Sequence, residues 1–198
     1  MQKWREYKMK VTLLGDSIRM IGYGMRVPQM LGSEFEVFQP QENCRFAKYT
    51  MRGVMHDWKE FMKGSQIIHW NNGLWDVCDL VGDGPFTSYE QYEADMLRIL
   101  KVLKTYTDKI IFATTTPVRP THERCANPTI EEYNRKIVPV LAAQGVVIND
   151  LHALVYPKLN EYISENDNIH LTEAGTKACS QKVVEAILAA KREIEEGK

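Results

Sequence analysis

The chain has 198 residues, a length that suits one domain spanning 1–198, and its 25 basic and 26 acidic residues leave a formal net charge of −1. That balance excludes the basic footprint of a nucleic-acid binder and gives no attraction to an anionic membrane. Hydrophobic residues make up 44% of the chain, too many for a disordered protein, while the apolar runs fall far short of the roughly 20 residues that span a bilayer.

In chain order, the first apolar run is Lys10-Val11-Thr12-Leu13-Leu14, which reads as a strand and stops at Gly15-Asp16-Ser17. Glu36-Val37-Phe38 reads as the second strand. Val54–Met62 has helical spacing, with Val54, Trp58, Phe61 and Met62 on one face. Gln66–Trp70 is the third strand and runs into Asn71-Asn72-Gly73; a loop follows over Asp79–Thr87. Thr87 and Glu90 form a capping box ahead of Tyr92, Met96, Ile99, Leu100 and Leu103. Lys109–Ala113 is the fourth strand, and Pro117–Pro128 is a loop. Thr129 and Glu132 repeat the capping box before Tyr133, Ile137 and Leu141; Pro139 should kink or shorten this helix and Gly145 should stop it. Val146-Val147-Ile148 is the fifth strand, ending at Asn149-Asp150. Thr172 caps the last helix, which carries Val183, Val184, Ile187 and Leu188.

The strand runs are continuous rather than alternating, as in strands buried on both faces of a parallel sheet. Strands alternating with helices, joined by right-handed crossovers, give an α/β fold: a three-layer sandwich around a parallel sheet of about five strands. Functional groups in such sheets collect beyond the carboxyl ends of the strands, where Gly15-Asp16-Ser17 and Asn71-Asn72-Gly73 both fall. Cys44, Cys78, Cys125 and Cys179 are widely spaced with no CxxC pair, so they read as four free thiols. With no leader in the sequence as given, the expected location is cytoplasmic. His56, His122 and His152 share no spacing; no metal site and no cofactor are expected.

Three roles fit Ser17. It can cap the first helix. It can bind phosphate at a helix N-terminus, although the glycine spacing of the phosphate fingerprints is missing. Or it can be a nucleophile at a strand-to-helix turn, which requires a base, an orienting acid and oxyanion donors. The far end of the chain, "ENDNIHLTEAG", supplies Asp167 and His170 three residues apart on a turn. There the carboxylate can hold one imidazole nitrogen while the other faces outward.

Taken together, Gly15-Asp16-Ser17-Ile18 resembles the first block of the SGNH (GDSL-type) hydrolases, and Asp167-x-x-His170 with Leu171 and Gly175 resembles their last. "HWNNGLWD", His69 to Asp76, sits where the family carries its third block, with His69 in place of the glycine. The second block falls within "ENCRFAKYT", where Ala47 followed by Thr50 is the best positional match and Cys44 a rival register. The resemblance implies a flavodoxin-like SGNH fold and a serine esterase needing no metal. Ser17 is then the nucleophile, His170 the general base and Asp167 its orienting acid. The oxyanion hole comprises the Ser17 and Ala47 N–H groups and the Asn71 side chain, with Asn72 as the alternative. Asp16 is structural, and His69 either points into a neighbouring helix or edges the cleft. Trp70, Trp75 and Arg119, with Tyr49 and Phe86, are candidates to meet the substrate. The expected partner is a small-molecule or carbohydrate ester of short acyl length, O-acetyl sugars included, rather than nucleic acid or membrane. The alternatives are a lysophospholipase or thioesterase of the same type, or a non-catalytic binding domain that retains the fold.

Overall fold

In the computed structural model, which describes residues 8–197, five strands pair in parallel in the order β2-β1-β3-β4-β5. They are β1 (Met9–Leu14), β2 (Phe35–Phe38), β3 (Ile67–Trp70), β4 (Ile110–Ala113) and β5 (Val147–Asn149). The reversal of order between β1 and β3 makes the sheet flavodoxin-like and puts a crevice at its carboxyl edge. Strands β3 and β4 are buried along their whole length, whereas β2 and β5 are partly exposed edges. This is why the central runs are mostly apolar, with His69 a buried polar member of β3.

The helices in chain order are α1 (Val27–Leu31), α2 (Ala47–Arg52), α3 (Lys59–Met62), α4 (Leu74–Val77), α5 (Tyr89–Leu103), α6 (Asn127–Ala142), α7 (Leu151–Val155), α8 (Leu159–Tyr162) and α9 (Glu173–Glu195). Helix α9 lies against β3 and β5 with α1, α7 and α8 beside it, while α2, α4, α5 and α6 pack together as the other layer. The three-layer sandwich expected from the sequence is therefore present. No helix among the described residues is long and apolar enough to cross a membrane.

The local expectations hold unevenly. Thr172 caps α9 by accepting from the Gly175 N–H at 3.1 Å, and Gly145, at φ +81°, ends α6 with the Val146 N–H reaching back to Leu141. Neither capping box forms. Helix α5 is capped by Ser88, which takes the Gln91 N–H, and α6 begins at Asn127 behind an extended Ala126, with Pro128 in its first turn. Proline fits the first turn without losing a bond, so the helix starts ahead of Thr129. Pro139 does not shorten α6, because it lies in the last turn on the exposed side. The 54–62 helix is broken at Trp58 into a π-helical turn, Gly53–Asp57, and α3. The break turns Phe61 outward, where it stacks on Phe38 at 5.4 Å, while Val54, Trp58 and Met62 stay in the core.

The thiols need correction. Cys78 and Cys125 form a disulfide with their Cα atoms 4.4 Å apart; Cys44 and Cys179 are the free, buried ones. A separation of 47 residues hides this pairing from any local pattern. It forms because the end of α4 meets the loop that leads into α6.

Candidate active site

Ser17 stands at the carboxyl edge of β1, at the start of the π-helical turn Ile18–Gly22. The turn is built on buried groups. Asp16 accepts the Ile18 N–H at 2.9 Å; burial pushes its carboxyl above the ordinary range, against the pull of the Asn71 amide, the Ile18 N–H and Arg19. Asp16 thus has the structural place expected for it. Arg19, which the sequence reading passed over, is 1% exposed. Its guanidinium donates to the carbonyls of Gly15, Pro40 and Glu42 at 3.0, 2.7 and 2.6 Å. It pins the loop after β2 to the Gly15-Asp16-Ser17 turn. The one visible signal is a charge inside the otherwise apolar stretch Ile18–Ile21.

The parallel register Leu14↔Trp70 brings Asn71 beside Gly15, and the Asn71 N–H donates to the Leu14 carbonyl at 3.1 Å. A Cβ on Gly15 would collide with the Asn71 carboxamide oxygen, so glycine is required there for Asn71 to sit against the turn. That oxygen accepts from the Tyr23 hydroxyl at 2.7 Å. Asn72 points elsewhere. Its side chain accepts from Trp70 Nε1 at 2.6 Å and donates to the Arg45 carbonyl at 2.8 Å. Its own carbonyl takes the Tyr92 hydroxyl at 2.9 Å. Gly73, at φ +144°, completes this turn, where any side chain would strike Thr115.

The Asp167–His170 end is assembled locally. Asp167 Oδ1 accepts the N–H groups of Ile169 and His170 at 3.1 and 3.0 Å, while Oδ2 meets His170 Nδ1 at 2.8 Å. That contact puts an N–H at Nδ1 and leaves Nε2 clear of the carboxylate. Burial pushes Asp167 up, but the His170 backbone and ring and the Ile169 N–H outweigh it and hold its carboxyl below the usual carboxylate range. The loop is closed by the antiparallel Ile163↔Leu171 bridge and by the Ser164 N–H on the His170 carbonyl. Gly175 lets the start of α9 approach the Tyr162 carbonyl, a space that a side chain would fill.

Ser17 and His170 line one cavity of about 380 Å³. Its other walls are Met20, Ile21, Leu74, Trp75, Leu80 and Ile169, with the disulfide-bonded Cys78, and Asn43, His122 and Arg124 as polar members. His122 was not singled out by its spacing. Its Nδ1 accepts the N–H groups of Arg124 and Cys125 at 3.2 and 2.9 Å, and burial lowers its pKa. Among the described residues no group of His, Cys, Asp and Glu is arranged to hold a metal ion.

Several expected site residues lie elsewhere. Trp70 is fully buried, edge-on to Phe112 at 5.3 Å, because its strand is covered on both faces. Arg119 donates to the carbonyls of Ile163 and Asn160 at 2.8 and 2.9 Å and so clamps the loop that carries Asp167 and His170 instead of facing the cleft. The Ala47 N–H is already engaged by Asp76 at 3.1 and 3.2 Å. The Cys44 N–H is likewise spent on the Gly15 carbonyl at 3.1 Å. Asp76 is itself buried, and desolvation raises its pKa to about 7. Tyr49 donates to Glu42 at 2.6 Å, and Phe86 lines a separate groove with Phe46. His69 is buried in the sheet, its Nε2 3.1 Å from the Asn149 amide, so it does not edge the cleft. Trp75 alone of the proposed substrate residues is in the cavity wall.

No protein-family model matches the chain, and no curated protein does. Solved structures do. A lipase/acylhydrolase from Enterococcus faecalis is 17% identical, covers 93% of this chain and 96% of that one, and superposes with a TM-score of 0.76. Axe2, an acetylxylan esterase from Geobacillus stearothermophilus, is 16% identical over 93% of this chain and 96% of that one, with a TM-score of 0.73. A GDSL-like lipase from Bacteroides thetaiotaomicron is 15% identical over 96% and 93%, with a TM-score of 0.72. At these identities the likeness is one of fold, and that fold is the one of the SGNH (GDSL-type) hydrolases to which the sequence blocks point.

Proposed function

We propose that this protein is a serine hydrolase of ester bonds, with Ser17, His170 and Asp167 as its triad. The observation that carries this reading is that His170, held through Nδ1 by Asp167 at 2.8 Å, shares one cavity with Ser17. With Nδ1 engaged by the carboxylate, Nε2 is the nitrogen left to accept the Ser17 proton in this reading. Ser17 Oγ attacks the ester carbonyl while His170 takes its proton. As the tetrahedral intermediate collapses, His170 returns that proton to the leaving alcohol, and an acyl-enzyme remains. Water, activated by the same imidazole, then releases the acid. The developing oxyanion receives the Ser17 N–H and the Asn71 side-chain amide. With the Ala47 N–H held by Asp76, the hole has two donors in this reading.

The finer reading is a short-chain acyl ester, O-acetyl groups on carbohydrate included. It is supported by Trp75 at the cavity wall and by the fold likeness to an acetylxylan esterase. The apolar walls favour a second reading, in which the cavity takes a longer acyl chain. Each methylene moved out of water is worth about 0.8 kcal/mol. A series of p-nitrophenyl acetate, butyrate and octanoate beside acetylated xylo-oligosaccharides separates the two: kcat/KM falls along the series in the first reading and rises in the second. A fluorophosphonate probe that labels the protein but not Ser17→Ala supports the enzymatic reading, and no labelling of the folded protein would leave a binding domain.

A further inference from the structure

The segment that carries the nucleophile also carries a buried phenol. Ser17 precedes the π-helical turn Ile18–Gly22, and Tyr23 follows it directly. Tyr23 is fully buried, and its ring stands edge-on to the neutral, buried His69 at 5.5 Å. Its hydroxyl donates to Asn71 Oδ1 at 2.7 Å. Burial raises the Tyr23 pKa well above that of a free phenol, so the hydroxyl keeps its proton and remains a donor.

A carboxamide has two chemically opposite ends, and only the nitrogen can donate to an oxyanion. The Tyr23 bond holds the oxygen end. The oxygen also lies against Gly15, so Nδ2 is the end left free to donate, and the Asn71 amide is one of the groups that offset the effect of burial on the Asp16 carboxyl. If the amide flipped, the Tyr23 hydroxyl would have to accept instead of donate, leaving its own proton without the partner it now has, and an acceptor would turn toward the developing negative charge.

We infer that Tyr23 is a positioning residue for the reaction: through its hydroxyl it fixes the Asn71 carboxamide with Nδ2 toward the oxyanion, and links that donor to the segment bearing Ser17. The inference rests on the oxyanion role of Asn71 given under Proposed function. Tyr23 touches no reacting atom; it acts through Asn71.

The test is kinetic, on an activated ester, with Asn71→Ala, Tyr23→Phe and the double variant. Tyr23→Phe keeps the ring and removes one hydroxyl. It should lower kcat about 10- to 100-fold through misorientation of the donor, with KM within about twofold because the bond matters in the transition state. In the Asn71→Ala background the same substitution should change kcat less than about twofold, since there is no amide left to orient. Replacing Tyr23 with 4-aminophenylalanine, which restores a donor at the same ring position, should recover most of the loss. That variant also serves if Tyr23→Phe does not fold. If Asn71→Ala is crippled while Tyr23→Phe keeps more than half of wild-type kcat, the inference is overturned and the oxyanion role stands. A Tyr23→Phe loss that multiplies undiminished with Asn71→Ala also overturns it, because the effect would be general loosening. An active Asn71→Ala would instead overturn the oxyanion reading itself.

Discussion

The two halves of the site are held by different physics. At the Ser17 end, Asp16, Arg19, Tyr23 and Asn71 are almost wholly buried and bonded to residues distant in sequence. At the His170 end, Asp167 and His170 remain 44% and 29% exposed at their side chains, and their bonds run within three residues of each other. Ser17 is therefore fixed by the core, and His170 by a self-bonded turn hung on a clamp. A buried polar network is costly to break, because every orphaned group loses its hydration as well as its partner. An exposed turn costs little when broken, since water replaces the lost bonds. Changes among the buried supports of the first end should therefore cost stability whether or not they also slow the reaction, and changes at the second should register chiefly as rate.

The largest effect tests what the two ends share. Ser17→Ala and His170→Ala should each lower kcat by about 10⁴-fold or more, with the double variant little worse than either single one, as expected of groups that act as one unit. Single-turnover rates on an activated ester check this, and additive losses would separate the two ends mechanically.

Next come the two neighbouring asparagines. Asn71→Ala should lower kcat by about 10² to 10³ with KM nearly unchanged. Asn72→Ala should spare most of the turnover and lower stability by on the order of 1–3 kcal/mol, since it strands Trp70 Nε1 and the Arg45 carbonyl. Parallel kinetics and thermal melts decide, and the reverse pattern would transfer the donor to Asn72.

The two arginines sharpen the contrast between core and turn. Arg19→Met leaves the carbonyls of Gly15, Pro40 and Glu42 without their donor and should cost on the order of 3 kcal/mol of stability. Arg119→Met frees the Ile163 and Asn160 carbonyls beside the half-exposed base loop. It should lower kcat by roughly tenfold while shifting stability by less than about 1 kcal/mol. Denaturant melts and kcat on the same two proteins test this.

The smallest effect is in pH, where the two ends have opposite signs. Asp76 is raised to about 7 by burial. Its stabilising contribution is complete below the unfolded carboxylate pKa and is lost as pH rises toward 7, because the folded state holds the extra proton. Asp167 is lowered, so its contribution is present above the unfolded value and is lost as pH falls through the folded one. Relative to wild type, Asp76→Asn should therefore gain at least about 3 °C in Tm between about pH 4 and about pH 8. Asp167→Asn should not gain over that range. A flat difference for Asp76→Asn would show that its carboxyl titrates normally.

Features set by local chain chemistry were legible in the sequence: continuous apolar strands, the strand-to-helix stop at Gly15-Asp16-Ser17, Thr172 as a cap, Gly145 as a stop, and the Asp167–His170 pair, whose bonds span three residues. These depend on nearest neighbours and on side-chain period, which a sequence displays directly. Tertiary structure decided what depends on which strand lies beside which. The β1–β3 register puts Asn71, not Asn72, against Gly15. Burial on both faces of β3 takes Trp70 out of the cleft, and the meeting of α4 with the loop before α6 pairs Cys78 with Cys125. Asp76 captures the Ala47 N–H, and Arg19 and Tyr23 become internal struts. A buried polar residue is placed by the partner that satisfies it, and that partner is brought near only when the sheet and its two helical layers close.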